Sequence, residues 1–257
     1  MRKYVLIIGC VVTLSAFCTM AYAEDRTSLG VEFVASKDKM PFKVSTNPDT
    51  YKYVTSNRYF SAGTKLTVVK KYLFFEANAQ TLLSTPRMEN IVFATDTMEI
   101  DSAYLASANL GVVVHESFTP YIGTAYSMGK TTFKGKYNAS TSIAATADSK
   151  TTHIGVGIRS IIPIAKMLSL YGDGLYSWSD SKIDTETVAT NTATNQTASN
   201  KDSGTSHDSG FSIDAGLEFT PVSRFTVRAL IGISRYKGSG EPESDSTSYT
   251  LGLFYNF

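Results

Sequence analysis

Residues 246–257 read STSYTLGLFYNF. From Tyr249 onward every second side chain is large and apolar (Tyr249, Leu251, Leu253, Tyr255, Phe257), while Thr250, Gly252 and Asn256 between them are small or polar. A period of two belongs to an extended strand whose successive side chains point to opposite faces, so this segment reads as a strand with one greasy face. Such a strand suits the edge of a soluble sandwich or the wall of a barrel whose outside meets lipid. The rest of the chain decides between them.

Nine further segments repeat the pattern: 27–36, 58–69, 72–84, 102–114, 118–129, 151–162, 168–180, 210–220 and 224–236. In the first, Leu29, Val31, Phe33 and Ala35 oppose Gly30 and Glu32; in the ninth, Phe225, Val227, Ala229, Ile231 and Ile233 share a face. Segments of about ten residues with alternating hydrophobicity are the signature of strands that cross a bilayer. The connections alternate as well. Those after the second, fourth, sixth and eighth segments are short and the others long, the pattern of short turns on one side of a membrane and long loops on the other. Threaded up and down, Phe60, Tyr104, Tyr126, Trp178, Phe211 and Tyr249 fall at one depth, and Phe75, Phe118, Phe219, Phe225, Tyr255 and Phe257 at another. Two aromatic girdles at headgroup level are what a membrane barrel requires and a sandwich core does not.

An aromatic final residue closing an amphipathic strand resembles the C-terminal signal of bacterial outer-membrane β-barrel proteins, carried here by Tyr249, Leu251, Leu253, Tyr255 and Phe257. The resemblance implies that the barrel-assembly machinery reads this strand. Over the whole mature chain the pattern is similar to the OmpA-like and opacity-type barrels. The expected fold is therefore all-β, a transmembrane antiparallel up-and-down β-barrel of ten strands, or eight if two segments are misassigned.

The amino terminus agrees. Arg2 and Lys3, an apolar run from Tyr4 to Phe17, and Ala21-Tyr22-Ala23 read as a signal peptide (1–23) cut before a barrel domain over 24–257 with five long extracellular loops. Cys18 follows the bulky Phe17, which does not suit a lipoprotein cleavage site. Cys10 and Cys18 both lie in the removed segment, so the mature chain is expected to have no disulfide, no thiol chemistry and no cysteine-held metal. Removing Arg2 and Lys3 leaves 22 basic against 23 acidic residues, a balance that argues against nucleic acid as a partner. The location expected is the outer membrane, with both termini periplasmic.

The face opposite the lipid belt carries Glu32, Lys65, Glu76, Arg159, Asp173, Asp214, Glu218 and Arg228 among many glycines. Five acids and three bases in a narrow lumen must be paired or wet. If they interlock, as Glu218 and Arg228 can across neighbouring strands, the barrel is a plugged platform. If water threads between them, it is a narrow porin-like pore. Ten strands lie nearer the filled barrel of eight than the open one of sixteen.

Few other motifs survive. Gly129-Lys130-Thr131 lacks both the earlier glycine and the helix of a phosphate loop. His115 and His153 have no metal-ligand partners at suitable spacing. Glu99, Asp101, His207 and Asp208 lie near the expected outer rim, where the ten-stranded omptin proteases carry an aspartate pair and a histidine–aspartate pair. The order and spacing here differ from that pattern, so the chain is expected to be non-enzymatic, without cofactor. The long loops offer a surface instead. Lys37, Lys39 and Lys43 with Phe42, Tyr51 and Tyr53 in loop one, and Lys130, Lys134 and Lys136 with Phe133 and Tyr137 in loop three, suit lipopolysaccharide phosphates or an unidentified surface or host ligand. That surface makes an adhesin-like platform the leading expectation. Loop four, 181–206, is a tract of Thr, Asn, Ala and Ser expected to be disordered.

Overall fold

The computed structural model describes residues 25–43, 51–89, 91, 96–115, 117–138, 140–238 and 243–257. The expected signal peptide and the middle of loop one lie outside them. Twelve strands follow in order: β1 (Arg26–Lys43), β2 (Tyr51–Thr55), β3 (Tyr59–Lys70), β4 (Leu73–Leu82), β5 (Arg87–Glu89), β6 (Thr97–Val112), β7 (Thr119–Asn138), β8 (Thr141–Ala165), β9 (Leu168–Asn191), β10 (Thr197–Val222), β11 (Phe225–Gly238) and β12 (Ser244–Asn256). Ten of them form one antiparallel ring. Its order is β12-β11-β10-β9-β8-β7-β6-β4-β3-β1, and β12 closes on β1. β2 and β5 pair outside the ring, on β1 and β6.

Closure leaves no edge in the wall, so every spanning backbone group can find a partner on a neighbouring strand. The seam is set by the carboxyl-terminal strand. Val31 faces Leu253, Phe33 faces Leu251 and Ala35 faces Tyr249 across it, all pointing outward, and the Phe257 amide donates to the Thr27 carbonyl at 2.9 Å. The period of two survives all round the ring. Ile154, Ile158, Leu170, Ile213, Leu217 and Ile231 are exposed as a lipid-facing belt. At one rim Phe225, Tyr255 and Phe257 meet edge to face, with centroids 5.3 and 5.0 Å apart, and at the other Trp178 packs on Tyr176 at 4.9 Å.

The turns at the first rim are tight. Lys71-Tyr72 joins β3 to β4, Lys166-Met167 joins β8 to β9, and Ser223-Arg224 joins β10 to β11. Lys71 takes a positive φ of 56°, and its amide is held by Asp25 Oδ1 at 2.8 Å.

The opposite end departs from expectation. Loop four is not disordered: β9 and β10 pair without interruption from Leu168↔Phe219 up to Thr190↔Thr197. β7 and β8 rise beside them, with Gly129↔Ser149 through Gly135↔Ile143 in register. Composition misled here because a strand that pairs on its neighbours needs no apolar face. Its backbone bonds are met laterally, and Thr185, Thr187, Val188 and Thr190 are β-branched residues that favour extended backbone. Thirteen residues of β10, 197–209, stand beyond the belt, roughly 40 Å along the strand at about 3.3 Å per residue.

Candidate functional site

The eight charged residues expected in the lumen do point inward, and seven of them interlock. Arg159 of β8 reaches across the barrel to Glu76 of β4, donating from Nη1 to Oε2 at 2.6 Å and from Nη2 to Oε1 at 2.9 Å. Its Nε donates to Asp173 Oδ2 of β9 at 2.7 Å. Glu76 also accepts from Thr67 Oγ1 at 3.2 Å and Asn109 Nδ2 at 3.3 Å. Glu218 and Arg228, opposite one another on β10 and β11, pair at 2.7 Å. Lys65 Nζ lies 3.1 Å from Glu32 Oε2 and 4.0 Å from Glu76 Oε1. Asp214 alone of the eight has no ion pair among the described residues.

Four aromatic residues complete this layer, and the sequence reading passed over all of them. Arg159 stacks at 4.8 Å from the Phe74 centroid and 5.5 Å from that of Tyr171; Arg228 lies 4.3 Å from Tyr171 and 4.6 Å from Phe254. The Tyr121 hydroxyl donates to Asp173 Oδ1, and that of Tyr171 to Asp173 Oδ2 at 3.2 Å. The rings fit because glycines face them. A Cβ on Gly157 would lie 2.3 Å from Tyr121 Cζ, and one on Gly30 2.3 Å from Phe254 Cδ1. The signal was present in the sequence as large rings in the inward phase, in register with glycine on the next strand. Glu32, Lys65, Glu76, Asn109, Tyr121, Arg159, Tyr171, Glu218, Arg228 and Phe254 come one from each of the ten ring strands, so the layer ties the whole circumference together.

Above this layer, toward the long strands, the lumen widens into a polar cavity of about 480 Å³, and a second of about 290 Å³ runs beside Tyr121 and Arg159. Higher still, Val54, Met88 and Ile91 form a small buried cluster on which Met40, Phe42, Met98 and Phe133 pack. This corrects an expectation. Phe42 and Phe133 belong to that cluster and are not set beside the lysines as contact residues. Nearby, the Tyr59 hydroxyl donates to Asp38 Oδ2 at 2.9 Å.

The lysines themselves are exposed. Lys130, Lys134 and Lys136 follow one another on the outward phase of β7, continuing the column of Ile122, Tyr126 and Met128 beyond the belt. Lys37 and Lys39 do the same on β1, where Lys39 lies 4.8 Å over the Tyr53 ring. The side chains of Lys43 and Tyr137 lie outside the described ones. The rim residues weighed as protease-like are not brought together. His207 Nδ1 pairs with Asp180 at 2.6 Å, Asp208 accepts from Ser206, Glu99 lies 3.4 Å from Arg87, and Asp101 accepts from Thr132. β7, β8 and β9 separate the two groups.

The model of a family described as outer membrane protein beta-barrel domain matches residues 10–257. No curated protein is similar to the chain in sequence. Among solved structures, the translocator domain of the autotransporter NalP from Neisseria meningitidis is similar with a TM-score of 0.58 at 8% identity, over 99% of this chain and 95% of that one. The outer membrane protease OmpT from Escherichia coli gives 0.52 at 10% identity, over 93% and 99%. At such identities the likeness is one of fold.

Proposed function

The chain belongs to the outer membrane protein beta-barrel domain family, and from that premise we propose that it is a plugged, non-enzymatic barrel that presents a tall β-sheet as an adhesin-like surface platform. One observation carries this reading: every ring strand gives a side chain to a single interlocked layer of ion pairs and aromatic rings across the lumen. Such a layer fills the narrow interior that ten strands enclose. The short turns and both termini then face the periplasm, and the upper parts of β7 to β10 stand outside the cell.

Lys37, Lys39, Lys130, Lys134 and Lys136 lie just beyond the lipid belt on its outward phase, the height at which lipopolysaccharide phosphates meet the barrel wall. Catalysis needs an acid or base within hydrogen-bond reach of its partners. His207 is committed to Asp180 and far round the ring from Glu99, which is why we do not read the rim as a hydrolase.

Planar-bilayer recording tests the proposal. The purified barrel should give small, rare conductance steps at most, and steady conductance of porin size would refute closure. A narrow pore is the second reading, favoured by the two polar cavities that share Lys65, Asn78 and Asp214 and descend to Arg159. A shift of cation preference in Asp173→Asn would support it.

A further inference from the structure

At the tall end of the barrel β10 has a neighbour on one side only. Its pairing with β11 begins at Asp208↔Gly238, so among the described residues 197–207 meet β9 alone and their other side is a bare edge. Two hydrogen bonds fix which backbone groups that edge offers. The Asn191 amide donates to the Gln196 carbonyl at 2.9 Å at the tip, and the Thr220 amide to the Met167 carbonyl at 2.8 Å at the base. The register between them is unbroken, and in an antiparallel ladder every second pair exchanges both bonds. Even-numbered residues of β10 therefore bond to β9, while Ser199, Lys201, Ser203 and Thr205 turn amide and carbonyl away from it. The Ser203 amide agrees with this phase: with no strand to meet, it takes Asp202 Oδ1 at 2.9 Å.

Such an edge is a template for a further strand, and natural proteins guard it with proline, bulges or charge. Residues 197–207 hold no proline, and their ladder to β9 has no bulge. Lys201 is drawn back onto Glu186 of β9 at 3.6 Å, and Ser199, Ser203 and Thr205 beside it are small. The membrane decides how two copies can use this edge. Side by side in one membrane, two such edges run parallel at equal height. A parallel ladder would then bond each edge-facing residue to the two that flank its opposite number, and those face β9. From apposed membranes the edges meet antiparallel, and odd residues exchange both bonds with odd ones. A twofold axis at Ser203 sets Lys201 opposite Thr205 and Asp202 opposite Gly204 of the second copy, with no like charges directly opposed. Gly204 has nothing within 4 Å of a Cβ position, which leaves space for that aspartate.

We propose that the free edge of β10 pairs antiparallel with the same edge of a second copy on an apposed membrane, so that one sheet runs from barrel to barrel and joins two cells. The inference rests on the orientation read above, with the tall sheet outside the cell. Mixing cells of two colours, each displaying the full chain, tests it. Mixed-colour clumps are expected. Ser199→Pro with Ser203→Pro, which removes two edge-facing amides and no bond to β9, should reduce them at least about tenfold. Ser199→Ala with Ser203→Ala should leave them unchanged. Heat-modifiable migration on a gel verifies that each variant is folded, and labelling of a Ser203→Cys chain on intact cells by a membrane-impermeant maleimide reports the orientation separately. Labelled cells that do not clump, clumps that survive in the folded double-proline variant, clumps lost equally in the double-alanine variant, or clumping only with cells that lack the chain would each overturn the proposal and leave the surface platform standing. A cysteine that the maleimide does not reach would overturn both.

Discussion

Replacing Arg159 by Met tests whether the lumen layer holds the barrel together. Methionine keeps most of the stem and removes the charge. The variant leaves Glu76 and Asp173 facing each other in a lumen where their side chains are 4% and 11% exposed. Removing one partner of a buried ion pair costs about 3–5 kcal/mol, because the other charge stays desolvated and uncompensated. Some compensation remains here: Glu76 keeps Thr67, Asn109 and the more distant Lys65, and Asp173 keeps the hydroxyls of Tyr121 and Tyr171. We therefore expect the low end, about 3 kcal/mol, or roughly a hundredfold shift in the folding equilibrium. Urea unfolding in detergent micelles, followed by heat-modifiable migration, gives the midpoint. A triple variant, Glu76→Gln with Arg159→Met and Asp173→Asn, removes all three charges of this group and should recover most of the loss. A single variant within about 1 kcal/mol of the parent, or a triple no better than the single, would show that the network is solvated and contributes little.

Deleting Phe257, which is 75% exposed and edges Tyr255, should sharply reduce outer-membrane insertion; an undiminished heat-modifiable band in the deletion strain would count against its role as an assembly signal. Gly157→Leu drives a side chain into the Tyr121 ring and should destabilise by about 1–3 kcal/mol as overpacked cores do, whereas Gly204→Leu, with nothing nearby, should leave the urea midpoint unmoved. Changing Lys130, Lys134 and Lys136 to Gln should weaken binding to lipopolysaccharide vesicles more at low salt than at high, since the Debye length is only about 8 Å at physiological ionic strength. Equal losses at both salts would place the contact elsewhere.

The wall of the barrel was legible because lipid and lumen impose opposite chemistry on alternate residues, and a period of two cannot hide at ten places. All ten segments lie in ring strands, and the charged residues face inward as their phase requires. The same phase rule placed Glu218 opposite Arg228. It could not pair Glu76 with Arg159, which are 83 residues apart and meet only because the ring closes. Beyond the belt the rule fails, since water on both faces imposes no alternation. The upper parts of β8, β9 and β10 therefore look like polar linker in sequence, and Phe42 and Phe133 look like surface rings until the cluster around Met88 is assembled in three dimensions.

The tall sheet has a consequence for how the chain reaches its final form. Its outermost pair, Thr190 and Thr197, lie seven residues apart, and each pair below adds two to the separation, so β9 and β10 can close as a zipper from the tip. Contacts so local carry little loop-closure entropy, and hairpins of this kind form within about 1–10 μs. Because the projecting part has few apolar side chains to collapse around, it can cross to the far side as an extended, soluble hairpin and finish there. The slow step is left to the ring itself, whose last seam, β12 on β1, joins the two ends of the domain and must wait for every other strand.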